Sequence, residues 1–159
     1  MKENEMLDDV VLGFVKPDAA PRVGAVLARI ESVRFSIEWL HTVQLHEHTA
    51  RALYAEHAER AFFESLIDFT LSGLVTVFIL RDRYRDKYPE IRQSAQTRFR
   101  SLLGNADAMK AAEHTLRHEF GTGTGPRNAI HATAETSLIR REAMILDVWE
   151  YVVAIAERK

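Results

Sequence analysis

The feature that most constrains the fold is an apolar run at residues 74–80, Leu-Val-Thr-Val-Phe-Ile-Leu. A nearly continuous run of apolar and β-branched residues is typical of a strand that is covered on both faces. Ser72 and Gly73 precede the run and separate it from the segment before it. The run therefore predicts a strand at the centre of a β-sheet.

The rest of the chain supplies further strands and helices. Residues 10–15 predict a short buried strand, and the alternation of Phe35, Ile37 and Trp39 predicts a longer strand with one covered side. Apolar spacing predicts helices at residues 21–32, 49–57, 61–71, 89–104 and 106–120, and a helical region after residue 138. We expect a small α/β sandwich with one sheet and helices mainly on one face.

Length and composition favour a single domain without cysteine chemistry. A chain of 159 residues can bury about two-thirds of its unfolded surface in one core, so we assign residues 1–159 to one domain. Zero cysteine excludes thiolate catalysis, disulfide scaffolds and zinc sites built on cysteine. A net charge of −2 argues against a nucleic-acid partner, because dedicated nucleic-acid domains carry a basic excess.

Targeting signals are absent from the first residues. The start of the chain is acidic and lacks the apolar segment of a secretory signal. The longest apolar run is about a third of the roughly 20 residues that a membrane span needs. We therefore expect a cytoplasmic protein with no membrane partner.

Three local patterns are weak functional signals. His114 and His118 are four residues apart, as zinc ligands on a helix often are, but a solvated helix face is the more frequent cause. The glycine-rich loop at residues 121–125 matches no phosphate-binding motif. The basic and aromatic residues at 81–100 suit single-stranded nucleic acid, although a charged exposed helix explains them equally well.

A dispersed set of residues is more informative. Lys16 follows a predicted strand, Tyr54 lies on a predicted helix, and Arg100 and Arg117 flank one segment before Asn128-Ala129-Ile130-His131. Cations can neutralise the charge on transferring phosphoryl oxygens, and histidine can accept a phosphoryl group covalently. This combination of residue types favours phosphoryl transfer.

Six motifs in order carry a family resemblance that runs from about Val10 to Trp149. They are Val15-Lys16-Pro17-Asp18, Tyr54 followed by Arg60-Ala61-Phe62-Phe63-Glu64-Ser65-Leu66, Ser72-Gly73, Arg100-Ser101-Leu102-Leu103-Gly104, Leu116-Arg117-His118-Glu119-Phe120 and Arg127-Asn128-Ala129-Ile130-His131. Together they resemble nucleoside diphosphate kinase. The chain resembles a divergent member, with an insertion around 81–99 and a C-terminal extension at 150–159 beyond a core at about 10–149.

The resemblance implies a fold, a reaction and a set of site residues. The fold is a ferredoxin-like βαββαβ sandwich of the α+β class, with an antiparallel sheet. The reaction is ping-pong transfer of the γ-phosphate from ATP or another nucleoside triphosphate to a nucleoside diphosphate. His131 matches the phosphorylated histidine and Glu142 the carboxylate that orients it. The matched phosphate and ribose contacts are Lys16, Tyr54, Arg100, Arg117 and Asn128, and the matched base contacts are Phe62 and Leu66.

The same resemblance implies Mg²⁺ and self-association. Mg²⁺ would be held mainly by the nucleotide phosphates, with Glu56 standing where the family places a nearby acidic residue that acts through water. The family is usually hexameric or tetrameric, so a homo-oligomer is expected, and Val152, Val153 and Ile155 form a candidate apolar stripe for it.

Several positions depart from the family pattern. The usual His-Gly-Ser-Asp is His131-Ala132-Thr133-Ala134 here, and Ala106 replaces a usual threonine. An alternative function is therefore a nucleotide-binding regulatory module with weak or no transfer activity.

Overall fold

The sheet has four antiparallel strands. A computed structural model describes residues 3–158, so residues 1, 2 and 159 of the predicted domain lie outside the described residues. The strands are β1 (Val10–Val15), β2 (Phe35–Val43), β3 (Val75–Asp82) and β4 (Ile130–Ala132), in the spatial order β2-β3-β1-β4. The order confirms the central position predicted for the apolar run, and it confirms the α+β class.

Nine α-helices connect and cover these strands within residues 3–158. They are α1 (Glu3–Met6), α2 (Val23–Ser32), α3 (Glu47–Leu53), α4 (Phe63–Leu71), α5 (Arg83–Lys87), α6 (Ala95–Leu103), α7 (Leu116–Phe120), α8 (Ile139–Ile145) and α9 (Trp149–Ala156). Short 3₁₀ turns occur at Ala20–Arg22, Ala55–His57, Ala108–Lys110 and Thr136–Leu138. The sequence β1-α2-β2-β3-α6-β4 is the predicted βαββαβ core.

Helices cover both faces of the sheet. The two crossover helices, α2 and α6, pack with Val11 and Val15 of β1 in one apolar cluster. Residues of α3, α4, α8 and α9 pack with Val10, Leu12 and Phe14 in a second cluster. The expectation of helices mainly on one face holds only for the crossover helices, because β1 is apolar at every position except Gly13 and both its faces must be buried.

Residues 49–57, predicted as one helix, are divided between α3, which ends at Leu53, and a 3₁₀ turn at Ala55–His57, and two other predicted helices also have different bounds. Residues 89–104 do not form one helix, because α6 begins only at Ala95, where the Ser94 hydroxyl accepts a hydrogen bond from the Thr97 N–H. Residues 106–120 contain a 3₁₀ turn and the short α7, which begins after Thr115 caps the His118 N–H. In both segments a capping side chain determines where the helix starts.

Several basic residues of the segment at 81–100 are paired within the molecule. Arg98 binds the fully buried Asp82 through two hydrogen bonds of 2.6 and 2.7 Å and lies 4.0 Å from the centre of the Phe35 ring. Arg83 forms an ion pair with Glu38, and Arg85 forms one with Asp9. These contacts pair three arginines of the basic segment with acidic side chains of the same chain.

The C-terminal segment belongs to the core. Val152 and Ile155 of α9 are buried in the cluster that includes Leu12 and Phe14. The stripe expected to serve self-association is therefore largely covered by this chain's own sheet. No helix in the described part of the chain, residues 3–158, has the length and apolar character needed to cross a bilayer.

Candidate active site

Strand β4 positions His131 against the centre of the sheet. His131 is paired with Phe14 of β1, and the two rings stack with centroids 4.7 Å apart. The strand is fixed at its start by the motif at the exit of β1. The Lys16 N–H donates to the Ala129 carbonyl at 2.7 Å, and the Ala129 N–H donates to Asp18 Oδ2 at 3.1 Å. These two bonds hold Ala129 at a φ of 70°, a conformation that non-glycine residues rarely adopt.

Glu142 and Thr133 orient the His131 ring. The Glu142 carboxylate lies 2.9 Å from His131 Nε2, and the Thr133 hydroxyl donates to the same carboxylate oxygen at 2.9 Å. Burial alone would raise the pKa of Glu142, but the hydrogen bonds from His131 and Thr133 and the charges of His131 and Arg141 lower it below its ordinary value. An ionised Glu142 accepts a hydrogen bond from the Nε2–H group of His131. This tautomer leaves Nδ1 as the ring nitrogen with a free lone pair.

Three cations surround the histidine. Lys16 donates to Asn128 Oδ1 at 3.0 Å and to the Pro126 carbonyl at 3.1 Å. Burial and, secondarily, the positive charge of Arg117 lower the pKa of Lys16 to about 8. Arg117 donates to the carbonyls of Gly104 and Ile130, and burial together with the charge of Arg100 lowers its pKa to about 10. Arg100 is exposed and reaches the Ala132 carbonyl at 3.4 Å.

Every predicted site residue lines one cavity of about 830 Å³. They are Lys16, Tyr54, Glu56, Phe62, Leu66, Arg100, Arg117, Asn128, His131 and Glu142. The Tyr54 ring meets the His131 ring edge-on at 5.4 Å, and burial raises the pKa of the Tyr54 phenol so that it keeps its proton. Phe62 is half exposed, as expected for an apolar wall that a ligand would cover.

The divergent positions lie in the same cavity. Ala106, Ala132 and Ala134 all contribute to its lining, so the departures from the family pattern change the surface of the site itself. Asn128 Nδ2 donates to the Ala106 carbonyl at 2.7 Å. Of the glycine loop, Gly125 alone borders the cavity among the described residues.

The paired histidines form no metal site. His114 has a φ of 69° and precedes α7, so His114 and His118 do not share a helical face. His118 Nδ1 instead lies 3.0 Å from the Ala111 carbonyl. Residues 3–158 contain no cluster of three or more histidine, cysteine or acidic side chains arranged to hold a metal ion.

Sequence reasoning assigned no role to several residues that build the site. Phe14 stacks on His131, Asp18 anchors the strand that carries it, and Thr133 holds Glu142. Two of these residues had a signal in the sequence. Asp18 is the last residue of the Val15-Lys16-Pro17-Asp18 motif, and Thr133 carries a hydroxyl group two residues after His131. Phe14 had no signal beyond its place in an apolar strand.

Comparisons with known proteins agree on one family. A family model described as nucleoside diphosphate kinase matches residues 10–147. A nucleoside diphosphate kinase of Nocardia farcinica is 36% identical over 139 residues, covering 86% of this chain and 92% of the relative. One of Sorangium cellulosum is 31% identical over 133 residues, covering 82% and 85%.

Solved structures agree with the sequence relatives. The nucleoside diphosphate kinase of Aquifex aeolicus superimposes with a TM-score of 0.74 at 30% identity, over 87% of this chain and 94% of the other. The enzyme of Halobacterium salinarum, solved in complex with CDP, superimposes with a TM-score of 0.73 at 27% identity, over 87% and 86%.

Proposed function

Because the chain belongs to the nucleoside diphosphate kinase family and transfers phosphate between nucleotides, we propose that His131 is the residue that carries the phosphoryl group. The observation that carries this proposal is the 2.9 Å hydrogen bond between His131 Nε2 and Glu142 Oε2 inside a cavity with three cations. No hydrogen bond from another described residue engages Nδ1. The ring therefore offers a nucleophilic nitrogen to a ligand in the cavity.

Transfer proceeds in two displacements at phosphorus. The Nδ1 lone pair of His131 forms a bond to the γ-phosphorus of the triphosphate while the bond to the bridging oxygen breaks, and the nucleoside diphosphate leaves with those electrons. The Nε2 proton stays shared with Glu142, whose negative charge balances the ring charge. A β-phosphate oxygen of the second diphosphate then attacks phosphorus, breaks the N–P bond and returns the ring to its neutral form.

The cations act on the phosphates. The transition state spreads negative charge over the equatorial oxygens, so Lys16, Arg100 and Arg117 stabilise it more than they stabilise the bound substrate. Each is already held by carbonyl or amide oxygens of the protein, which fixes its position before the nucleotide arrives. Tyr54 and Asn128 complete the phosphate and ribose contacts in this proposal.

The nucleobase occupies the mouth of the cavity. Phe62 presents a half-exposed ring there, and Leu66 lies one helical turn further along α4. Stacking and apolar contact discriminate little between bases, so broad nucleotide specificity follows.

Members of this family generally use Mg²⁺, and the donor set here fits an ion carried by the nucleotide. Mg²⁺ would be held mainly by the nucleotide phosphates, and Glu56, which lines the cavity and is not engaged by His131, would contact the ion through water. The bound ion would neutralise charge on the transferring oxygens.

We also propose that the chain is one catalytic domain with its core at about 10–149, and that it assembles into a hexamer or tetramer.

The test is covalent labelling. The purified protein is incubated with γ-labelled ATP and Mg²⁺ and then chased with a different nucleoside diphosphate. We expect an acid-labile, base-stable label that transfers to the second nucleotide, and we expect none in His131→Ala. His118→Ala is the matched control, because His118 lies outside the cavity and should be labelled normally. A His131→Ala protein with ordinary turnover would refute the assignment.

A further inference from the structure

One face of α6 is directed at the strand that follows His131. Gln96 and Arg100 are four residues apart and therefore share a helical face. The Gln96 side-chain amide donates to the Thr133 carbonyl, and Arg100 donates to the preceding carbonyl, that of Ala132. The helix thus holds two consecutive carbonyls immediately after the nucleophile.

Gln96 is connected to His131 through the backbone and hydroxyl of Thr133 and the carboxylate of Glu142. Thr133 is fixed on its other side by its N–H, which donates to the Leu12 carbonyl at 3.1 Å. With its backbone held between Leu12 and Gln96, the Thr133 hydroxyl donates to Glu142 Oε2, which lies 2.9 Å from His131 Nε2. The path from Gln96 to His131 therefore consists of three hydrogen bonds joined by the covalent bonds of Thr133, whose carbonyl accepts from Gln96 and whose hydroxyl donates to Glu142.

The Gln96 amide lies in an otherwise apolar environment, and half of it has no hydrogen-bond partner among the described residues. Gln96 is fully buried, and its neighbours on α6, Ala95, Phe99 and Leu103, lie in the apolar cluster. Its carbonyl oxygen, Oε1, finds no hydrogen-bond partner within residues 3–158. A buried acceptor without a partner costs free energy that an apolar side chain of similar size would avoid.

We propose that Gln96 is a positioning residue for phosphoryl transfer, which holds Thr133 so that its hydroxyl keeps the Glu142 carboxylate aligned on His131. The inference rests on the proposed role of His131. Gln96 does not border the nucleotide cavity, so it acts on the reaction without contributing to nucleotide affinity.

The experiment compares Gln96→Met with wild type and with Gln93→Met as the matched control. Met keeps the length of Gln and removes the hydrogen-bond donor. Gln93 is exposed, so the same exchange at position 93 should leave the transfer rate unchanged. Single-turnover phosphorylation of the protein by ATP should slow about three- to tenfold in Gln96→Met, the range expected for one hydrogen bond. The dissociation constant for ADP should stay unchanged.

Two further measurements separate positioning from general damage. Thermal unfolding of Gln96→Met should stay close to that of wild type, because the change removes the unpaired Oε1 acceptor while it leaves the Thr133 carbonyl without its donor, so the number of unpaired buried acceptors is unchanged. In ¹⁵N spectra of the His131 ring, the share of the tautomer protonated at Nε2 should fall. In a Thr133→Val background, Gln96→Met should slow the reaction by less than twofold, because the link to Glu142 is already broken.

The outcomes are distinguishable. A wild-type transfer rate in Gln96→Met, or fully additive losses with Thr133→Val, would overturn the positioning role while leaving His131 as the nucleophile. Labelling of His131→Ala would instead overturn the proposed function itself. If Met does not fit the site and the variant unfolds, Gln96→Leu provides the same loss of donor with a different shape.

Discussion

Nucleotide binding should be coupled to proton uptake at Lys16. Burial and the charge of Arg117 lower the pKa of Lys16 to about 8 in the free protein. Bound phosphates would place negative charge beside the ammonium group and raise its pKa again. The neutral fraction of Lys16 must therefore take up a proton when the nucleotide binds.

The magnitude follows from the free-protein pKa of Lys16, about 8. About a tenth of Lys16 is neutral at pH 7, about half at pH 8 and about nine-tenths at pH 9. Binding should therefore take up about 0.1, 0.5 and 0.9 proton per site at these pH values. Since uptake rises with pH, affinity should fall above pH 8 and approach a tenfold loss per pH unit.

Calorimetry measures this uptake directly. The protein is titrated with Mg²⁺-ADP at pH 8 in buffers with different ionisation enthalpies. The slope of the observed binding enthalpy against the buffer ionisation enthalpy gives the number of protons taken up per nucleotide bound. Lys16→Met should lose the linkage, and His131→Ala should keep it because the lysine is intact. A slope near zero in wild type at pH 8, or the same slope in Lys16→Met, would refute the reasoning.

Two further predictions concern stability. Arg98→Leu should lower the free energy of unfolding by about 3 kcal/mol in urea at pH 7, because it leaves the fully buried Asp82 carboxylate without its ion pair. Gly13→Ala should cost about 1–3 kcal/mol and slow transfer, because its Cβ would lie 2.4 Å from the His131 carbonyl and 2.7 Å from the Phe78 ring.

Each of these two changes has a matched control in the same chain. Arg92→Leu removes an exposed arginine and should change stability by less than about 0.5 kcal/mol. Gly24→Ala lies in α2 with no atom within 4 Å of its new Cβ, so it should be neutral or stabilising by up to about 1 kcal/mol. Equal effects of Arg98→Leu and Arg92→Leu, or of the two glycine changes, would contradict the packing described here.

The strands and the members of the site were predictable because their signals are local. The apolar run at 74–80 has the composition of a central strand wherever it occurs, and β3 extends over it from Val75 to Asp82. Lys16, Asn128 and His131 stand in short motifs with fixed spacing, so their relation could be inferred without knowledge of the packing. The pairing of Glu142 with His131 was inferred from the family resemblance, and the structure contains a hydrogen bond between the two side chains.

The remaining features depend on competition or on distant contacts. Pro89 is a reasonable first residue of a helix, but the caps at Asp82 and Ser94 start helices on either side of it instead. Gln96 resembles any polar residue of an amphipathic helix until α6 is packed against Thr133, 37 residues away. No local pattern distinguishes a buried amide from an exposed one.

The position of β1 has a consequence for synthesis of the protein. β1 is the first strand of the sheet to be synthesised, yet its two partners are β3 and β4, which begin at residues 75 and 130. Until about half of the chain has been made, an extended Val-Val-Leu-Gly-Phe-Val segment has neither of its edges paired. Such segments associate readily with other chains, so nascent chains of this protein should be clients of ribosome-associated chaperones, and folding should wait for β3.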